Sequence, residues 1–110
     1  MLKRRILYKS LPYRLARARA DAVIAISDPY AVSVVRALRG RGLRVPEDVR
    51  VAGFDDMEVG HLHHPPLTTI RQAWERMGEE AMRLLWDECN GIDRRRAKVV
   101  LPVELVVRGT

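Results

Sequence analysis

Apolar and polar positions alternate between two periods along this chain. "AVIAIS" at 22–27 is a continuous, partly β-branched apolar run between polar neighbours, which predicts a short strand covered on both faces. In "DPYAVSVVRALRGRGL" the apolar residues Ala31, Val34, Val35 and Leu38 recur at helical spacing. Asp28 stands where an N-cap belongs, Pro29 at the first helical position, and Gly40 and Gly42 end the helix. "VRVAGF" at 49–54 is a second apolar strand, so residues 22–54 read as a β-α-β unit with parallel strands and a right-handed crossover. Residues 58–66 have no period and carry prolines that forbid a central strand, which predicts a loop. "TTIRQ" at 68–72 is short and β-prone. From 73 to 89, Trp74, Met77, Ala81, Leu84, Leu85 and Glu88 mark one stripe of an amphipathic helix, closed by "NG" at 90–91. A charged loop at 93–98 leads to "VVLPVELVV" at 99–107, a final strand broken or bent at Pro102, and a short helix is predicted at 13–20, after Ser10 and Pro12. Alternating strands and helices give an α/β fold, Rossmann-like, with helices covering a mostly parallel sheet.

Composition narrows the class. With 110 residues, 47% hydrophobic and 31% charged, the chain suits one small soluble domain or part of a larger one. The longest apolar run, 22–26, falls far short of the roughly 20 residues of a membrane span. Lys9, Arg14, Arg17 and Arg19 interrupt any signal-peptide apolar stretch, and the single Cys89 can form no intramolecular disulfide; both fit a cytoplasmic protein. The net charge of +6 arises in one place, because the first 20 residues hold seven basic groups and no acid. A solvated arginine-rich helix and a flexible arm touching phosphates both account for that end, and the body of the chain offers no phosphate-binding face.

The chemistry concentrates in "GFDDMEVGHLHHPPLTTIRQ" at 53–72. Asp55 and Asp56 follow the second strand at its carboxyl end, and Ser27 and Asp28 occupy the same end of the first, where open α/β sheets bind ligands. Asp28 serves equally as a helix cap. A carboxylate such as Asp55 at a strand tip can accept paired hydrogen bonds from vicinal hydroxyls, an arrangement suited to sugars. A catalytic carboxylate pair needs a set gap, whereas adjacent residues after a strand point in opposite directions, so one of the two aspartates should face away. His61, His63 and His64 lack the spacing of metal ligands and read as surface or subunit-contact residues that could make the contact pH-sensitive. Cys89 has no evident activating partner. Nucleotide-binding glycine motifs and a nucleophile elbow are missing, so binding without catalysis, cofactor or metal is the expectation.

From about residue 20 onward, "RVPEDVRVAGFDD", "PPLTTIRQ" and "MGEEA" resemble the C-terminal part of the effector-binding domain of the LacI/GalR family of bacterial transcription regulators. The resemblance implies part of a type I periplasmic-binding-protein fold, in which two Rossmann-like lobes close on a small molecule, usually a sugar or nucleobase. It implies a basic segment at 1–19, C-terminal-lobe residues at 20–69, a hinge crossover at 70–72, an N-terminal-lobe helix and loop at 73–100, and a final crossover and strand at 101–110. Effector contacts fall on Ser27, Asp55, Gln72 and Trp74: Asp55 binding hydroxyls, Gln72 hydrogen-bonding at the hinge, Trp74 forming an apolar wall or plain helix core. Ser27 departs from the family's usual Asn, keeping a hydroxyl and losing an amide, which leaves the effector class open. The family's dimer surface falls on Pro29, Tyr30, Val32, Leu62, His63 and His64. Such regulators begin with a helix-turn-helix domain that has no room before residue 20, so the chain resembles a truncated regulator that cannot read an operator by itself. It is expected to be marginally stable alone, to aggregate or need a partner, and to bind sugar weakly or not at all. Its partner would be a second copy or a paralogous regulator. A fragment of a periplasmic sugar-binding protein and a free-standing module that dimerises with intact paralogues are the alternatives.

Overall fold

The computed structural model describes residues 20–93 and 97–110; the predicted helix at 13–20, Ala20 apart, the basic segment at 1–19 and the middle of the charged loop at 93–98 lie outside them. The chain divides into two compact units, one ending at Arg71 and rejoined by Leu105–Thr110, the other Gln72–Glu104.

In the first unit, β1 (Ala22–Ile24), α1 (Asp28–Arg39) and β2 (Arg50–Ala52) form the predicted β-α-β unit. The two strands are parallel, with Ala22 opposite Arg50, Val23 opposite Val51 and Ile24 opposite Ala52. The helical stripe lands where its spacing places it: Ala31, Val34, Val35 and Leu38 are buried, joined by Ala25, Val45, Val49, Val51 and Leu67 in one core. Arg36 and Arg39 in the last turn of α1 suit the negative end of its dipole.

The sheet extends past β2. Ala52 bridges Thr68 in parallel, Gly53 N–H donates to the Thr68 carbonyl (2.8 Å), and Asp55 N–H donates to the Ile70 carbonyl (2.9 Å). This seats β3 (Thr69–Arg71) beside the strand end that carries the aspartates, and β3 pairs in turn with β4 (Glu104–Val106). The tail then returns to the core: Thr110 Oγ1 accepts from Thr68 N–H (2.9 Å) and donates to the Val51 carbonyl (2.6 Å).

Three sequence expectations need correction. β1 is covered on one face only, since Val23 and Ala25 turn inward while Ile24 and Ile26 are 82% and 81% exposed. An apolar run announces a strand, but its second face is buried only if another layer lies over it. The stretch 58–66 is not all loop: α2 (Glu58–Leu62) forms there, its start fixed by the N–H of its N-cap residue Met57 donating to Asp28 Oδ2 (2.6 Å). Five residues are too few to display a period. Asp28 is not the cap of α1; Ser27 takes that position, in extended backbone and without a side-chain capping bond.

In the second unit, α3 (Trp74–Cys89) follows the predicted span and ends at Asn90, with Gly91 at a φ of 80°. None of its residues is buried. Its apolar stripe is present, yet among the described residues of this unit no sheet face receives it.

Candidate functional site

Parallel pairing of β1 and β2 brings their carboxyl ends to one rim, and Asp28 N–H donating to the Phe54 carbonyl (2.9 Å) ties the two exits together. Ser27 and Asp55, the sequence candidates of this unit, are therefore both at that rim, and both are half-buried. Asp55 has a φ of 102° and Asp56 a φ of 53°, left-handed backbone that non-glycine residues rarely adopt. Such geometry costs about 1–3 kcal/mol per residue and persists only where the surroundings enforce it.

The enforcement comes from below. Successive N–H groups of the turn each have an acceptor: Asp55 on the Ile70 carbonyl, Asp56 on Thr69 Oγ1 (3.4 Å) and Met57 on Asp28 Oδ2 (2.6 Å). Thr69 Oγ1 itself donates to Asp28 Oδ1 (2.6 Å), and both residues are fully buried. The Asp28 carboxylate thus holds three segments together. It also explains two glycines: a Cβ on Gly53 would collide with Asp28 Oδ1 and stand 2.9 Å from Leu67 Cδ2, and one on Gly60 would stand 3.2 Å from Asp28 Oδ2.

The side chain of Asp56 does not face solvent. Its side chain, 7% exposed, accepts from Arg108 (2.5 Å) and His61 Nε2 (2.8 Å) on Oδ1 and from Arg71 Nε (2.7 Å) on Oδ2. Burial, the largest influence, pushes its carboxyl pKa up, but the hydrogen bonds from Arg108, Arg71 and His61 outweigh it and hold the pKa at about 2. Asp56 therefore stays ionised at neutral pH.

Gln72 and Trp74 belong to the second unit. Gln72 directly follows β3 and is half-buried, and Trp74 opens α3 with 54% of its surface exposed. Of the residues assigned to subunit contact, Pro29 and Tyr30 are exposed on the first turn of α1, and Leu62, 78% exposed, ends α2. Val32 packs against the core. His63 Nδ1 lies 2.9 Å from the Pro65 carbonyl, and the His64 carbonyl accepts from Arg39 (2.8 Å). Two concavities, of about 720 and 430 Å³, lie elsewhere in the first unit: one beside Arg44, Pro46 and His64, the other beside Ile24, Val51 and Thr110. Neither contains Ser27 or Asp55. Sequence reading missed Asp28, Thr69, Asp56 and Arg108 as the scaffold of the rim. The unusual density of acids in "GFDD" was the only local signal of it.

Residues 2–110 match the family described as periplasmic binding protein-like domain. The HTH-type transcriptional regulator CelR of Thermobifida fusca is 44% identical over 88 residues, which is 80% of this chain and 26% of the relative. A lactose operon repressor of Rhizobium radiobacter is 38% identical over 92 residues, 84% of this chain and 80% of that one. Among solved structures, a CelR–cellobiose complex superposes with a TM-score of 0.83 at 40% identity, over 93% of this chain and 32% of the other. A lac repressor dimer bound to operator and the anti-inducer ONPF gives 0.79 at 31% identity, over 94% and 36%. The chain spans about a quarter of the length of CelR and of several other relatives it matches. It belongs to the periplasmic binding protein-like domain family, in the form carried by LacI-type transcriptional regulators.

Proposed function

We propose that these residues form the effector-binding and dimerising portion of a LacI-type transcriptional regulator, that the effector is a sugar, and that Asp55 is its principal hydroxyl acceptor. The observation that carries this reading is the braced, left-handed Asp55 at the carboxyl end of a parallel strand, beside Ser27. A strained residue whose backbone is held by a buried network at a strand tip is what a preorganised ligand contact requires. Asp55 accepts paired hydroxyl hydrogen bonds, Ser27 supplies a hydroxyl, Gln72 hydrogen-bonds where the chain passes from one unit to the other, and Trp74 gives an apolar wall. The relatives named above include a cellobiose complex and a repressor dimer, which supports a disaccharide as first probe and a second copy or a paralogous regulator as partner, meeting along Pro29, Tyr30, Leu62, His63 and His64. The reading makes the chain a binding protein of the cytoplasm, with no enzymatic step, cofactor or metal, and these 110 residues do not contact operator DNA.

Backbone-amide NMR at millimolar cellobiose tests it, because weak binding still moves resonances. Shifts should centre on Ser27, Asp55 and Gln72 and vanish in Asp55→Ala, whose lost charged hydrogen bonds weaken binding by about 10- to 100-fold. Shifts that are unchanged in Asp55→Ala, or absent with every disaccharide tried, would remove the reading.

A further inference from the structure

The carboxylate next to Asp55 has a placement that the sugar-site reading does not use. Arg71 is the last residue before the chain leaves the first unit, and Arg108 lies just after it returns. Both guanidiniums end on Asp56, with Arg71 Nε on Oδ2 at 2.7 Å and Arg108 on Oδ1 at 2.5 Å, and His61 of α2 joins them at 2.8 Å. Arg108 is fastened further: one of its guanidinium nitrogens donates to the Leu67 carbonyl (2.9 Å) and its backbone N–H to Thr68 Oγ1 (3.0 Å). One carboxylate therefore gathers β3, the segment that follows β4, and α2. Its own backbone is the second left-handed residue of the turn, directly after Asp55.

We infer that Asp56 is a positioning residue: through Arg71 and Arg108 it locks both crossing segments of the first unit to the turn that presents Asp55. The functional meaning of this lock rests on Asp55 being an effector contact; the lock itself does not. Charge-assisted bonds to a nearly buried carboxylate are the stronger kind, and bonds from segments distant in sequence hold a turn that local sequence would not. A ligand that draws on Asp55 consequently acts on a turn already joined to β3 and to the segment that follows β4.

Amide hydrogen exchange on the full chain tests the lock without any ligand. Asp56→Asn should accelerate exchange at least tenfold at the amides of Asp55, Asp56, Met57 and Arg108 while leaving Val35 and Leu38 in α1 unchanged, and Asp56→Glu should recover part of the protection. Unchanged rates in Asp56→Asn, or a uniform rise that includes α1, would overturn the inference. Should Asp56→Asn not fold, Arg71→Gln decides, since that half-exposed side chain lies outside the core: a local rise at residues 55–57 supports the lock and no rise overturns it. Cellobiose shifts absent from the wild type, with the exchange pattern as expected, would remove the sugar reading and leave the lock. Normal cellobiose shifts with unaltered exchange in Asp56→Asn would do the reverse.

Discussion

Replacing Thr69 by Val removes one oxygen and almost no volume, which isolates the buried network under the aspartate turn. The hydroxyl donates to Asp28 Oδ1 at 2.6 Å and accepts from Asp56 N–H at 3.4 Å, and both Thr69 and Asp28 are fully buried. In the variant Asp28 keeps the Met57 N–H but loses its second donor, so a buried carboxylate is left half satisfied. A hydrogen bond to a charged group contributes about 1.5–3 kcal/mol, and an orphaned buried acceptor adds its desolvation penalty, so the expected loss is about 2–4 kcal/mol. That is a large part of the stability of a small unit whose described core consists of alanines, valines and two leucines. Urea unfolding followed by circular dichroism should show the midpoint falling sharply in Thr69→Val and far less in Thr69→Ser, which keeps the hydroxyl. A cycle with Asp28→Ala should be strongly non-additive, because the two side chains form one unit. A Thr69→Val loss below about 0.5 kcal/mol, or one equal to that of Thr69→Ser, would refute the role given to this contact.

Three further outcomes are expected. Asp56 is held at about 2 against an ordinary 3.8, so its contribution is complete above pH 4 and is lost as pH falls towards 2. That difference corresponds to about 2 kcal/mol at full strength, reduced to about 1 kcal/mol by solvent screening at the half-exposed Arg71 and His61. Asp56→Asn should flatten the acid limb of stability against pH without abolishing it, since Asp48, held to about 2 by hydrogen bonds from Arg44, titrates in the same window. Gly53→Ala should cost about 1–3 kcal/mol, because its methyl meets Asp28 Oδ1 and Leu67, whereas Gly78→Ala in α3, where a Cβ meets nothing within 4 Å, should stabilise the helix by about 0.5–1 kcal/mol; thermal melts compare them directly. Ile24→Ser with Ile26→Ser should change stability by no more than about 0.5 kcal/mol per site yet reduce self-association in sedimentation velocity, since both side chains face solvent.

How much of this could be read in the sequence depended on how local the cause was. The buried face of α1 follows from spacing alone: Ala31, Val34, Val35 and Leu38 are placed by the 3.6-residue period, whatever they pack against. The exposed outer face of β1 and the uncovered stripe of α3 were not legible, because an apolar pattern records what a segment can bury and not whether a second layer is there to receive it. Asp28 before Pro29 fits a cap as well as it fits a hub, and the partner that decides between them, Thr69, is 41 residues away. Arg108 reads as the end of a strand, and nothing near it indicates that it closes on a carboxylate 52 residues upstream.

Asp28, Asp55 and Asp56 crowd one strand end, and their roles diverge through what satisfies each. Asp28 is met by a hydroxyl and a backbone amide and becomes a fixed part of the interior. Asp56 is met by two guanidiniums and an imidazole, so its charge is answered locally and its position is shared with β3 and the segment that follows β4. Asp55 is half-buried at the rim beside Ser27, and a carboxylate there suits a neutral, hydroxyl-rich ligand. Changing Asp55 should alter the chemistry of recognition itself. Changing Asp28 or Asp56 should keep that chemistry and misplace it, a difference that appears as altered amide exchange before any sugar is added.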